Sequence, residues 1–360
     1  MDDPPGLAIF STDGQVAGME LNRLPLPAKT NALALAPAPG RGGYAVLAGG
    51  DDDMLRLFSS DGEMIWERQS TVAPEFKVGD RYQAPWFTDP ERKRGIFSLL
   101  VADVTGAGAP EIVVGRPSTV EYWSLEGDLK ARVPVEWGDC SDLVLLKHPD
   151  GPRVLVGKSL TGSPAVAIMN GQRKVMGNGY NALPAGATSM SAWMQQSATP
   201  VIVSDVDGDG QDDVLVVRRG HWNDVRLYDG GTGAVRWQRS FGAGPRRTGL
   251  FPAVTVADLA PSAGQEVAVG LRNGWLCCFS ADGEPLWTRR MSSAVTRTAA
   301  TDGLLAIGLA DGSVALLDGK GHLLRRAQLP SEVTAMVADN VAGRRVLVGT
   351  AGGTLVAFTP

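Results

Sequence analysis

The stretch Ser204–Val217, SDVDGDGQDDVLVV, holds the densest set of chemically capable side chains in the chain. Asp205, Asp207 and Asp209 stand at positions 1, 3 and 5 of a loop, Gly210 at position 6, Gln211 at position 7 and Asp213 at position 9. Carboxylates at alternate positions, a glycine where the chain must bend and a backbone carbonyl at position 7 make the oxygen-rich donor set of a hard cation, and calcium is the expected occupant. A helix–loop–helix calcium site also needs a glutamate at position 12 and a helix on either side. Position 12 is Val216, and the flanks VIVS and VLVV are strand-forming. The loop therefore reads as a calcium site between two strands, held by the side chains of Asp205, Asp207, Asp209 and Asp213 and the carbonyl of Gln211. A catalytic acid cluster fits less well, because so many ionised carboxylates repel one another unless a cation lies among them. The bland alternative is a solvated Asp/Gly turn.

A second set of residues is cationic. Arg116, Lys158, and Arg218 with Arg219 each follow an apolar run, and Arg272 does the same in GLRNG. His221 and Trp222 come next to one of these sites, and Arg246 and Arg247 lie in FGAGPRRTGLF. Two long connections add Tyr82, Trp86, Phe87, Arg92, Lys93 and Arg94 in the first, and Tyr180, Trp193 and Gln195 in the second. Long loops on a rigid scaffold concentrate binding functions. Guanidinium groups beside aromatic rings suit an acidic polysaccharide or an acidic protein segment. The expected ligand set is Arg116, Lys158, Arg218, Arg219, His221, Trp222, Arg246 and Arg247, read as exposed loop ends; solvated loop ends without a ligand are the plain alternative.

Catalytic chemistry has less support. The three histidines, His148, His221 and His322, fall in different turns and are not expected to meet. No GxSxG, HExxH or phosphate-binding glycine loop is visible. Cys140, Cys277 and Cys278 give neither a disulfide framework nor a zinc pattern. The adjacent Cys277 and Cys278 would point to opposite faces of a strand.

The elements that must position these groups repeat along the chain. YAVLAGGDDDMLRLFSSDGEMIWERQ, DVLVVRRGHWNDVRLYDGGTGAVRWQRS and EVAVGLRNGWLCCFSADGEPLWTRR share one plan. An apolar strand ends near glycine, a short loop leads to a second strand, and an Asp-Gly type turn leads to a third. A further strand precedes each unit, as in TPVIVSDV and AVTVADL. That makes four short strands, a to d, at a period of roughly 40–65 residues. Such sheets repeated radially form a β-propeller. Seven a–b pairs are present, the N-terminus supplies only c and d strands, and the C-terminus stops after strand c. The expectation is a single all-β domain over residues 1–360, a seven-bladed β-propeller of four-stranded antiparallel blades closed by exchange of N- and C-terminal strands; an eight-position ring with one partial blade stays open. In such a ring the a–b and c–d connections share one face, and the b–c and d–a connections share the other. The cationic set falls on the second.

At 360 residues and 44% hydrophobic, the chain is long enough to bury a large core. Its net charge of -5 gives no support to nucleic acid as a partner. No apolar run reaches the length of a membrane-spanning helix. The start, MDDPPGLAIF, has no basic and apolar leader. The expected location is extracytoplasmic, secreted or periplasmic, with the leader absent from this chain.

The segment DVDGDGQDDVLVV resembles the FG-GAP repeat of integrin-α-like and bacterial FG-GAP/VCBS propellers, in which a calcium loop joins strands a and b. DVTGAGAPEIVVG and DLAPSAGQEVAVG are similar to the same element with ligands lost: Thr105 and Ala107 replace two acids in the first, and the second carries an insertion. The resemblance implies that these two keep the turn without the metal. SSDGEMIW, DGGTGAVRW and SADGEPLW resemble the c–d signature of pyrroloquinoline-quinone-type repeats, which implies that Trp66, Trp237 and Trp287 pack between neighbouring blades. These likenesses are specific for fold and weak for activity, since propellers host many functions. The leading reading is a non-catalytic, calcium-stabilised binding or scaffold module. A carbohydrate-active propeller is the second reading, either a lectin or a polysaccharide lyase with His221, Tyr82, Tyr180 or a lysine as base. An envelope assembly scaffold similar to quinone-type repeat lipoproteins is the third.

Overall fold

Val214 and Val216 leave their strand toward one apolar cluster, and Leu215 and Val217 leave it toward another. With both faces buried, the second strand of a unit is an unbroken apolar run instead of an alternating one. The computed structural model describes residues 7–10, 30–40, 44–50, 52–59, 63–70, 95–159, 166–181, 197–219, 223–241, 250–261, 264–301, 303–339, 345–351 and 355–358. Every helix or strand among them is a strand. No helix there is long and apolar enough to cross a membrane.

After β1 (Leu7–Phe10), the chain forms a four-stranded sheet of β2 (Thr30–Pro37), β3 (Tyr44–Gly50), β4 (Met54–Ser59) and β5 (Met64–Gln69). A six-stranded sheet follows, from β6 (Ser98–Ala102), β7 (Glu111–Trp123), β8 (Leu129–His148), β9 (Gly151–Ser159), β10 (Val166–Asn170) and β11 (Val175–Gly179). Three more four-stranded sheets take sequential strands. They are β12 (Ser197–Ser204), β13 (Asp213–Arg219), β14 (Asp224–Asp229) and β15 (Val235–Ser240); β16 (Leu250–Ala257), β17 (Glu266–Leu271), β18 (Trp275–Phe279) and β19 (Pro285–Arg290); and β20 (Val295–Thr301), β21 (Leu304–Leu309), β22 (Ser313–Leu317) and β23 (Leu323–Gln328). The last sheet joins β24 (Val333–Asp339), β25 (Arg345–Thr350) and β26 (Leu355–Phe358) to β1.

Pairing within each sequential run is antiparallel. Two features differ from the expected plan. β7 and β8 are long because each serves two partners. Residues 111–115 of β7 pair with β6 and residues 117–123 with β8, while β8 pairs through 129–139 with β7 and through 139–148 with β9. Ser118, with φ 52°, and Gly138, with φ 138°, mark the bends that stand in place of separate loops. The second difference is at the termini. Leu7–Phe10 does pair with Leu355–Phe358, but in parallel, Leu7 opposite Leu355 and Phe10 opposite Phe358. No short hairpin joins these two segments, so no turn dictates their direction.

One apolar cluster lies at each seam between consecutive sheets. A further cluster lies between the two halves of the six-stranded sheet, where Val113 and Tyr122 meet Leu143 and Val156. Two contacts recur along these seams. A strand-b glycine makes room for the next sheet's first strand. A Cβ on Gly270 would come within 2.3 Å of Val295, and one on Gly308 within 2.4 Å of Val333. The expected tryptophans form the other contact. The indole N–H of Trp66 donates to Leu125 O at 2.9 Å, that of Trp237 to Ala281 O at 2.7 Å and that of Trp287 to Gly319 O at 2.8 Å. Each acceptor is in the c–d turn of the following sheet. Cys277 and Cys278 are free thiols facing different clusters.

Candidate functional site

The acidic loop joins β12 to β13, as its flanks require. Gly208 (φ 79°) and Gly210 (φ 87°) take left-handed conformations that coil it. Asp205 accepts the backbone N–H groups of Gly208 and Gly210, both at 2.9 Å. Asp207 accepts from Asp209 N at 3.2 Å, and Asp209 from Gln211 N at 2.8 Å. Carboxylate oxygens of Asp205, Asp207 and Asp209 lie within 4.8 Å of one another. Asp213 opens β13 and is 1% exposed. It accepts from Val206 N at 3.3 Å, and burial pushes its carboxyl up to about 6. The donors are all oxygen and include a buried carboxylate, so they fit a hard cation. Arg236 on β15 also reaches this loop. Its guanidinium contacts Asp207, meets Asp209 at 3.3 Å and Asp213 at 2.8 Å, and extends to Asp229 at 3.2 Å.

The degenerate loop at Asp103 keeps the turn. Asp103 accepts the N–H groups of Gly106, Ala107 and Gly108 at 2.8, 3.1 and 2.7 Å, which hold its carboxyl below the usual range. In the loop that begins at Asp258, Glu266 does the bonding instead, accepting from Leu259 and Ala260 at 2.8 and 3.0 Å.

The cationic set is placed differently from expectation. Arg116, Lys158 and Arg218 are 2%, 0% and 0% exposed, so they are interior groups and not exposed loop ends. Arg116 donates to Ser70 O at 2.8 Å and pairs with Asp53 at 2.9 Å. Arg218 grips Asp224 with two bonds, at 2.7 and 2.6 Å, and Arg226 meets the same carboxylate at 3.2 Å. The ends of the second strands look like loop margins in sequence. They lie opposite the irregular start of a first strand, where the register slips at Cys140/Asp142, Ala198/Val201 and Val295/Arg297. Such bulges re-aim side chains and cover strand ends. Tyr180, a candidate base, is also buried. It donates to Gly230 O at 2.8 Å, and burial pushes its phenol up, the wrong direction for a base. His221, Trp222, Arg246 and Arg247 lie outside the described residues, as do Tyr82, Trp86, Phe87, Arg92, Lys93, Arg94, Trp193 and Gln195.

Arg219 is the member of the set that remains half-buried. Burial lowers its pKa, and the nearby Asp142 charge opposes that shift. Its Nε has no hydrogen-bond partner among the described residues. Arg297, half-buried on β20, is likewise lowered by burial; Glu332 raises it and Arg219 lowers it further. Asp142 accepts from Val201 N at 2.7 Å, and burial pushes it up to about 6. Asp142, Arg297 and Glu332 escaped the sequence reading. Their signal was a charged residue at the start of an otherwise apolar first strand, in SDLVLL, VTRTAA and SEVTAM.

Together these features define an all-β protein of repeated antiparallel sheets, most of them four-stranded, packed in sequence with an apolar cluster at each seam. The family described as "Outer membrane protein assembly factor BamB" matches residues 221–360. Among curated proteins none matches. The crystal structure of BBS1N in complex with ARL6DN, soaked with lead, is 14% identical over 91% of each chain, with a TM-score of 0.61. BamB from Moraxella catarrhalis is 14% identical over 93% of this chain and 84% of that one, with a TM-score of 0.58. Sqt1 from Saccharomyces cerevisiae is 14% identical over 100% and 86%, with a TM-score of 0.62. At such identities the likeness is one of fold.

Proposed function

We propose that this chain is a non-catalytic, seven-bladed propeller scaffold that holds an acidic segment of a partner protein on its b–c/d–a face. Seven blades follow if the two halves of the six-stranded sheet each count as one. Ring closure is supported by β1, which edges the last sheet and then leads through residues 11–29 into the first. The observation that carries the partner reading is a pair of half-buried arginines, Arg219 at the end of β13 and Arg297 near the start of β20, close enough for the charge of one to act on the other. Paired arginines suit a carboxylate. The protein-binding reading also draws on two relatives: BBS1N was crystallised with ARL6DN, and the matching family is described as an assembly factor. The same description favours a location outside the cytoplasm.

Fluorescence anisotropy with a labelled glutamate-rich peptide tests the reading. Binding should weaken about tenfold or more in Arg219→Ala and Arg297→Ala, and should fall as salt rises. Wild-type affinity in the double variant would remove the site from this face. Capture of an acidic polysaccharide in place of the peptide would turn the reading toward a lectin.

The Asp205–Asp213 loop is proposed as a structural calcium site in this scaffold, held by Asp205, Asp207, Asp209, Asp213 and the Gln211 carbonyl. Calcium there would neutralise the clustered carboxylates and fix the turn between β12 and β13.

A further inference from the structure

Arg236 stands on the outer strand β15, one residue before Trp237, and its guanidinium touches three of the four side chains proposed for calcium. The Oδ1 of Asp213 has no hydrogen bond elsewhere in the described residues; Arg236 Nε, at 2.8 Å, is its cation.

The same arrangement recurs where the loop has lost its acids. Trp237 pairs with Leu227 on β14, and Ala131 pairs with Tyr122 on β7, so Arg236 and Lys130 hold equivalent places on their outer strands. Lys130 bonds Glu111 at 2.8 Å, and Glu111 opens its strand as Asp213 opens β13. That loop has Thr105 and Ala107 where Asp207 and Asp209 stand in the acidic one, yet its outer-strand cation is retained. In the β16–β19 sheet the equivalent residue is the uncharged Leu286, and the buried Glu266 takes backbone N–H groups instead. A cation from the fourth strand thus recurs beside the buried acid after the a–b loop, joined at Glu111 by Arg173 at 2.6 Å and replaced at Glu266 by backbone N–H groups.

We propose that Arg236 is the tethered counter-ion of the acidic loop and that a divalent cation and the guanidinium exclude each other there. Calcium needs six to eight oxygens at about 2.3–2.6 Å. One oxygen each of Asp207, Asp209 and Asp213 is bound to the same guanidinium, and those oxygens are not available to an ion while Arg236 holds them. The two positive charges also repel in the same space. Calcium binding therefore releases Arg236 from the loop, and the cost of that release lowers the apparent calcium affinity. The second half of this proposal rests on the calcium reading; the counter-ion half does not.

The full chain, wild type and Arg236→Gln, is melted in chelator and then with calcium alone added, and calcium affinity is measured by titration calorimetry. In chelator the variant should melt several degrees lower. With calcium it should recover, and its affinity should be about tenfold or more tighter than wild type. Arg236→Lys keeps the charge without the fork and should fall between the two, which covers the case of a glutamine variant that does not fold in chelator. An Arg236→Gln protein that melts like wild type in chelator overturns the counter-ion role. Equal or weaker calcium affinity in the variant overturns the exclusion. Absence of calcium binding in both proteins overturns the calcium reading, while a lowered melt in chelator still supports the counter-ion.

Discussion

Asp142 sits half-buried among packed strands, and desolvation raises its carboxyl to about 6 against the opposing pull of the Val201 N–H, Thr199 and the Arg219 charge. An unfolded aspartate ionises near 3.8. Between those two values the folded chain holds the proton longer, so stability falls as pH rises across this window and stays reduced above it. Asp142→Asn removes the charged form. The expected gain is on the order of 1 kcal/mol at pH 7.5 and near zero at pH 4, read by urea unfolding at both. An equal gain at the two pH values would make the effect one of packing and would refute the ionisation account. The acidic loop was legible in sequence because its whole donor set is local, whereas Arg236 comes from another strand and only the sheet brings it in. The cationic set was misread for a related reason. Arg116 meets Asp53 across a seam between two sheets, a contact no local pattern encodes.

The strand-level repeat carries a second device beside each inter-sheet tryptophan. Two residues after Trp66, Trp237 and Trp287 come Arg68, Arg239 and Arg289, and each donates to the carbonyl of a turn glycine in the next sheet, Gly127, Gly283 and Gly321. The indole and guanidinium thus clamp the same turn. The glycine is required there. Gly283 has φ 77°, and a Cβ would sit 2.6 Å from the Trp237 ring. Trp237→Ala is expected to cost about 3–5 kcal/mol by the loss of a large buried side chain. Gly283→Ala should cost at least about 1 kcal/mol from the strained backbone and the clash together. Because both changes act on one contact, the double variant should lose less than the sum of the two, measured by denaturant unfolding; strict additivity would show that the ring and the turn are independent. The tryptophans were readable from the Asp-Gly turn that precedes them. The arginines were not, because an arginine at the end of an outer strand looks like any solvated charge until the neighbouring sheet is in place. The long β7 and β8 were equally hidden, since their bends use Ser118 and Gly138 in place of the expected loops.

At the scale of the molecule, each consecutive pair of sheets is joined by an apolar cluster, and the outward face of the first sheet raises the remaining question. Ala34 and Ala36 of β2 pack inward on the cluster they share with the second sheet. Leu33 and Leu35 alternate with them, point to the other face and are each 56% exposed. Their cross-strand neighbours on that face are Ala48 and Val46. Leucines repeated at this position on a first strand are what a seam with another sheet requires, and an open apolar face of this kind invites association. The chain order names the partner. β1 edges the last sheet and its chain continues into β2, so the last sheet is the one that closure would bring against this face. The likeness to repeat propellers made a ring the expectation, while the partner of the final seam depends on contacts between residues some 300 positions apart, beyond the reach of any sequence period. The Leu33→Glu, Leu35→Glu double variant decides the point. If the ring closes, two buried leucines are lost, at about 1.5–3 kcal/mol each, and two carboxylates are forced into an apolar seam, so the protein should melt far lower or fail to fold. Deletion of residues 1–20 should act in the same direction, because it removes the strand that edges the last sheet. If both variants unfold at the wild-type denaturant concentration, the face is open to solvent and the molecule is an arc of sheets instead of a closed propeller.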